Sequence, residues 1–251
     1  MNREALGGVA AGVGVLVLFA GFLVVSRFGA TSTLTVWDMA ALRFGVAGLC
    51  TIPVLFMVRW PRIAWWKALV LAITSGAPFT LFVFGGMSYA PVAHGGVVIN
   101  GAMPVLAALL AWAVFGVRLG GWRIVGVALI VVGVAATGWD ALSFGEPGQW
   151  RGHLLFLGAA ACNATFLTSV RGWGLTALES LSVVNALNLA IYIPVWFLLL
   201  PSNLAATPLA EIALQAGYQG LVAAFIASIL IAHAARTLGG MRQAAIMSGA
   251  P

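Results

Sequence analysis

The sequence predicts an all-α integral membrane protein made of two inverted five-helix repeats, the second incomplete, with about eight full spans and a partial ninth. Three observations predict this. First, the 251 residues are 62% hydrophobic and only 7% charged, with a mean hydropathy of +1.07. Soluble domains carry about 25% charged residues, so lipid is the solvent that suits this chain. Second, the apolar runs recur at lengths of about 20 residues, enough to cross a bilayer core about 30 Å thick. Third, the stretch Ala90–Pro104 returns near the C-terminus as Thr237–Pro251, with small residues and a closing proline at matching places.

The first apolar run, about 6–26, follows Arg3 and has the look of a signal peptide. It is longer than the roughly 7–15 residues of a cleavable core and no A-x-A site follows, so it reads as helix 1. Helix 2 covers about 37–58 and contains Pro53; helix 3 covers about 64–88, with Gly76-Ala77-Pro78 as a kink. Helices 4 (about 91–116) and 5 (about 121–138) flank the basic turn Val117-Arg118-Leu119-Gly120-Gly121-Trp122-Arg123. After a polar loop come helix 6 (about 151–171), helix 7 (about 177–200, with Pro194) and helix 8 (about 209–235). Helix 9 begins near Gly239 and is unfinished at Pro251. The organisation is therefore residues 1–138 as the first repeat, 139–150 as an external linker, and 151–251 as the second repeat, truncated in helix 9.

Charge sets the orientation. With the N-terminus cytoplasmic, nine of the twelve basic residues fall inside: Arg3, Arg59, Arg62, Lys67, Arg118, Arg123, Arg171, Arg236 and Arg242. Asp38, Asp140, Glu146 and Glu211 fall outside. An odd number of spans per repeat makes the two copies face opposite ways, as in many secondary transporters. The net charge of +6 is scattered between apolar runs and forms no patch, which argues against nucleic acid as a partner. Cys50 and Cys162 lie inside apolar runs and imply no disulfide framework.

No catalytic or metal-ligand motif is present: there is no HExxH or GxSxG, and His94, His153 and His233 are far apart in sequence. An enzyme, a metal and a cofactor are not expected. Polar side chains deep in a span usually face the bundle interior or a cavity. That rule selects Asn100, Asn163, Asn185, Asn188 and Tyr192 as a solute cavity, the last three sharing one helical face at i, i+3 and i+7. Interhelical hydrogen bonding is the alternative for each of them.

Arg43, with Trp37 and Gln219, is the candidate vestibule, a fixed positive charge for anionic or zwitterionic solutes. Snorkelling, or pairing with Asp38, is the alternative for Arg43. Gln215, Tyr218 and Gln219 form a polar patch, and most tryptophans sit near helix ends as an aromatic belt. His94 reads as interfacial, with a titrating role as the alternative. No carboxylate falls at a predicted midplane, so carboxylate-driven proton coupling is not expected.

The stretch Ser26–Phe44, with its Ala41-Leu42-Arg43-Phe44, resembles the EamA domain of the drug/metabolite transporter superfamily. So does Ala93–Pro104 followed by Arg118-Leu119-Gly120-Gly121-Trp122. The resemblance implies two five-helix repeats, short loops and a cytoplasmic N-terminus. It also implies a carrier that exports a small polar or amphipathic metabolite by alternating access, in the bacterial cytoplasmic (inner) membrane. Its partners would be the lipid bilayer and a small-molecule solute; a homodimer is compatible with the fold. Measured against the first repeat, about 35 more residues would complete helix 9 and a tenth helix. A truncated, non-transporting membrane protein or a helical interaction partner is accordingly the alternative function.

Overall fold

The computed structural model describes residues 3–57, 60–116, 121–143, 146–230 and 233. Among them the chain is helical and has no strand. The helices are α1 (Arg3–Ala30), α2 (Val36–Met57), α3 (Trp65–Ser75), α4 (Ala77–Tyr89), α5 (Val92–Phe115), α6 (Gly121–Ser143), α7 (Gln149–Gly172), α8 (Ala177–Leu199) and α9 (Leu209–Gln215). The last continues directly into a π-helical segment, Ala216–Ile226. The expected helix 9, its echo of Ala90–Pro104, and Arg118 in the basic turn lie outside the described residues.

Seven helical stretches among the described residues are long and apolar enough to cross a membrane, and α6 adds a shorter apolar run, Ile124–Ala136. The chain is an integral membrane protein. Nearly every expected helix appears at the expected place, because lipid leaves the backbone no hydrogen-bond partner outside the helix. The exception is helix 3. It is two helices, interrupted at Gly76 (φ −96°, ψ −140°), with Pro78 in the first turn of α4. Proline lacks the N–H that a continuing helix needs, and it is tolerated where a new helix starts.

Contacts divide the chain into two compact units. The first comprises Met1–Ala64 with Leu175–Pro251, and the second comprises Trp65–Gly174. Each unit therefore takes helices from both sides of the α6–α7 connection. That connection is shorter than the expected 139–150 linker, because α6 continues to Ser143 and α7 starts at Gln149.

In the first unit, α2 packs against α8 and the π segment, and α1 packs against the π segment. Small residues allow the close approaches. A Cβ on Gly48 would come within 2.6 Å of Leu189 Cβ, and one on Gly220 would collide with Val46 and sit 3.1 Å from the Arg43 carbonyl oxygen. Helix–helix association in lipid depends on such approaches, since burial of apolar surface provides no drive there.

In the second unit, α7 packs against α5, α4 and α3. Phe156 is completely buried, and its ring fills the space beside Gly86 and Gly95, where a Cβ would strike it. One turn earlier, a Cβ on Gly152 would lie 2.8 Å from the Gly86 carbonyl oxygen and 2.6 Å from Ala90 Cβ. Glycine at 152 is thus what lets α7 reach the α4–α5 corner. At the opposite end Trp66 and Trp173 meet edge to face at 5.6 Å. The Lys67 ammonium lies 5.6 Å and 5.2 Å from those two rings. Indoles beside a cation are suited to a membrane interface.

Candidate functional site

The polar residues of the first unit form a track along α2, α8 and the π segment. At one end is Asp38, fully buried. Its Oδ2 accepts from the Thr35 N–H (3.1 Å), the Thr35 hydroxyl (2.8 Å) and the Asn203 N–H (2.9 Å). Its Oδ1 accepts from the Trp196 indole N–H at 3.1 Å. Asp38 therefore caps the start of α2 and ties down the α8–α9 connection, so its acceptor capacity is committed to structure. The suggested Arg43–Asp38 pair is not made: five positions further along α2, Arg43 reaches a different partner.

That partner is Gln219. The Arg43 Nη1 donates to Gln219 Oε1 at 3.4 Å, a long contact, and Arg43 Nε is buried with no hydrogen-bond partner. The guanidinium lies 5.4 Å from the Phe22 ring centre and 6.0 Å from that of Phe44. Phe44 meets Tyr192 edge to face at 6.3 Å. Gln219 is oriented by its own donors: its Nε2 bonds to Ser26 Oγ at 2.9 Å. Gln215 Nε2 donates to the Val25 carbonyl at 2.9 Å. Gln215 and Gln219 are both fully buried. Gln215 closes α9 and Gln219 lies in the π segment, and π-helical segments frequently mark functional sites.

A cation inside a membrane bundle costs several kcal/mol unless it is paired or hydrogen-bonded. Arg43 has aromatic faces and one neutral amide oxygen. The arrangement leaves a donor fork ready for a carboxylate or phosphate oxygen.

Further along the track, Tyr192 donates its hydroxyl to the Trp37 carbonyl at 3.0 Å, while Trp37's own side chain is half-buried. Asn188 Nδ2 donates to the Val184 carbonyl at 2.8 Å within α8. Asn185 Nδ2 donates to Thr51 Oγ1 at 3.0 Å, and the Thr51 hydroxyl donates in turn to the Ala47 carbonyl at 2.7 Å. Asn185 and Thr51 line a small cavity with Ser182 and Ser228, about 10 Å³ in volume. That is room for about one water molecule. Arg43, Ala47 and Thr51 recur at i, i+4 and i+8, so the backbones of Arg43 and Thr51 lie about 12 Å apart along α2.

Of the residues selected from sequence, the first unit contains Trp37, Arg43, Asn185, Asn188, Tyr192 and Gln219. Asn100 and Asn163 belong to the second unit, where Asn100 is exposed on α5 and Asn163 is half-buried on α7. Sequence reasoning missed Phe22 and Ser26, whose signal is weak because α1 is apolar throughout. It also missed a second polar cluster, at the α5–α7 corner of the second unit. There His94 Nδ1 and His153 Nε2 are 3.0 Å apart, and Gln149 Nε2 is 3.0 Å from the same His94 nitrogen. These residues are 55 and 59 positions apart from His94, a separation that no local pattern reveals.

Seven apolar spans among the described residues, with a buried, charged polar track within the first unit, describe a multi-pass membrane protein. The EamA-like transporter family model matches residues 6–139, more than half of the chain. The chain belongs to the EamA-like transporter family, which is a family of transporters and not of enzymes. A solved chain described only as "Crystal structure of protein" is 20% identical and has a TM-score of 0.57. The match covers 97% of this chain and 89% of that one, and it is a likeness of fold. No curated protein matches the chain.

Proposed function

We propose that the protein is an alternating-access carrier that exports a small polar or amphipathic metabolite bearing a negatively charged group. One observation carries the charge assignment: the Arg43 guanidinium is held between Phe22, Phe44 and Gln219, with Nε unsatisfied. An anionic or zwitterionic solute supplies what that site lacks, and the aromatic rings accept the apolar part of an amphipathic one. Asn185, Asn188 and Tyr192 then provide amide and phenol groups along the path, exchanging their present hydrogen bonds for bonds to the solute as the helices move.

The internal packing supports an inverted-repeat architecture. If α1–α6 form the first repeat and α7 begins the second, α1 against the π segment corresponds to α7 against α3 and α4. Both pairings are made within their units. The distribution of positive residues supports a cytoplasmic N-terminus.

The test uses the purified chain in proteoliposomes preloaded with a radiolabelled panel: aspartate, glutamate, phenylalanine, leucine, lysine and choline. Efflux of the anionic or zwitterionic members above protein-free vesicles is the expected outcome. Efflux restricted to choline, the panel member with no carboxylate, would refute the charge assignment.

A further inference from the structure

Unit two carries a polar cluster that the solute track does not use. We propose that His94, His153 and Gln149 form a proton-binding site holding a single proton across α5 and α7, and that this proton is the coupling ion of the carrier. The second half rests on the carrier reading above; the first does not.

The hydrogen bonds determine where protons sit. Gln149 Oε1 accepts the Glu146 backbone N–H at 3.0 Å, so the amide oxygen is occupied and the NH₂ faces His94. His94 Nδ1 is therefore an acceptor, and the neutral His94 ring carries its hydrogen on Nε2. The same Nδ1 lies 3.0 Å from His153 Nε2, which must then be the donor. A proton added to His153 makes an imidazolium whose Nε2–H still points at His94 Nδ1, now as a charge-assisted bond. A second proton, on His94 Nδ1, would set donor against donor at both contacts. The pair holds one proton and resists two.

Placement adds to this. His153 and Gln149 are buried and His94 is half-buried, and Gly152 brings α7 close enough to the α4–α5 corner for the rings to meet. The rings cross at 67° with centres 5.1 Å apart. The other titratable or charged groups at this end of the unit come from each neighbouring element. They are Tyr89 at the end of α4, Asp140 near the end of α6, Glu146 in the α6–α7 connection and Arg151 on α7. Tyr89 and Glu146 are exposed, and Arg151 is exposed and lies 5.6 Å from the Trp150 ring centre.

The acidic residues that begin α2 and α8 are engaged elsewhere. Asp38 is bonded to Thr35, Trp196 and Asn203, and Glu179 closes a capping box with Thr176. Among the described residues the histidine pair brings two titratable side chains, one buried and one half-buried, into direct contact.

The site is tested by nitrogen-15 NMR of histidine-labelled full-length chain in nanodiscs, with His233→Asn removing the third histidine. Over about pH 8 to 5, where histidine changes charge, the His94 and His153 signals should shift together in one step worth one proton. In His153→Gln, whose amide can still donate to His94 Nδ1, that joint step should vanish. Two independent steps, or no step, would overturn the proton site.

Coupling is tested in proteoliposomes with an internal pH dye and labelled aspartate. Wild type should move protons with the label. His153→Gln should move label with little proton movement above that of protein-free vesicles. Equal proton movement in both overturns the coupling. If wild type moves no aspartate, the carrier reading for that probe falls, coupling falls with it, and the NMR step decides the proton site alone.

Discussion

The Arg43 guanidinium on α2 donates to Gln219 Oε1 on the π segment at 3.4 Å, and that amide is itself anchored to Ser26 on α1 at 2.9 Å. Three helices thus meet at one buried cation whose recorded acceptor is neutral. A buried cation with only a neutral acceptor is unfavourable for stability, and several consequences can be measured.

Replacing Arg43 by methionine keeps most of the side-chain volume and removes the desolvated charge. Exchanges of buried charges for apolar residues are often neutral or stabilising by about 1–4 kcal/mol. Arg43→Met should unfold at the same or higher temperature in detergent while losing transport. A clear loss of thermal stability would mean that the guanidinium serves the fold.

Asp38 behaves in the opposite way. Asp38→Ala leaves the Thr35 N–H, the Asn203 N–H and the Trp196 indole without an acceptor. Each buried unsatisfied group costs about 1–3 kcal/mol, so a marked drop in melting temperature is expected. Calorimetry or scanning fluorimetry of the purified variant reads this directly.

Gly152 links the packing of α7 to the histidine contact. Gly152→Val drives a side chain into the Gly86 carbonyl and Ala90, which costs about 1–3 kcal/mol by overpacking. The expected result is a destabilised protein whose His94–His153 contact is lost. Gly126→Ala, at a position with open space around it, serves as the silent control.

Orientation is accessible to chemistry. In a variant with Cys50 and Cys162 replaced by alanine, Ser143→Cys should react with an impermeant maleimide added outside cells, and Arg118→Cys should not. The reverse pattern would invert the topology.

Much of the fold was legible because a bilayer imposes one rule on every segment: long apolar runs must be helices. The boundaries of α2, α5, α7 and α8 follow from where polar and charged residues interrupt those runs. The break at Gly76 was half-legible; the glycine–proline pair marks it, but whether it kinks or cuts the helix depends on packing. The π segment was not legible, since Ala216–Ile226 reads as an ordinary helix until its hydrogen bonds are seen.

At the site, Arg43 and Gln219 stood out because charged and amide groups are rare in such a chain. Their pairing was not visible, because they are 176 residues apart and the nearer Asp38 offered a simpler partner. His94 and His153 stayed hidden for the same reason: tertiary contact, not periodicity, makes them a pair.

The central claim, that Arg43 receives the negative charge of the solute, is tested most directly by comparing wild type, Arg43→Lys and Arg43→Gln in proteoliposomes preloaded with the anionic or zwitterionic probe that wild type exports. Hydrogen bonds to a charged group contribute about 1.5–3 kcal/mol, equivalent to about 10- to 150-fold in apparent affinity. Arg43→Gln should lose affinity by that factor and Arg43→Lys by less, with both proteins folded and inserted normally. Unchanged affinity in Arg43→Gln would contradict the account.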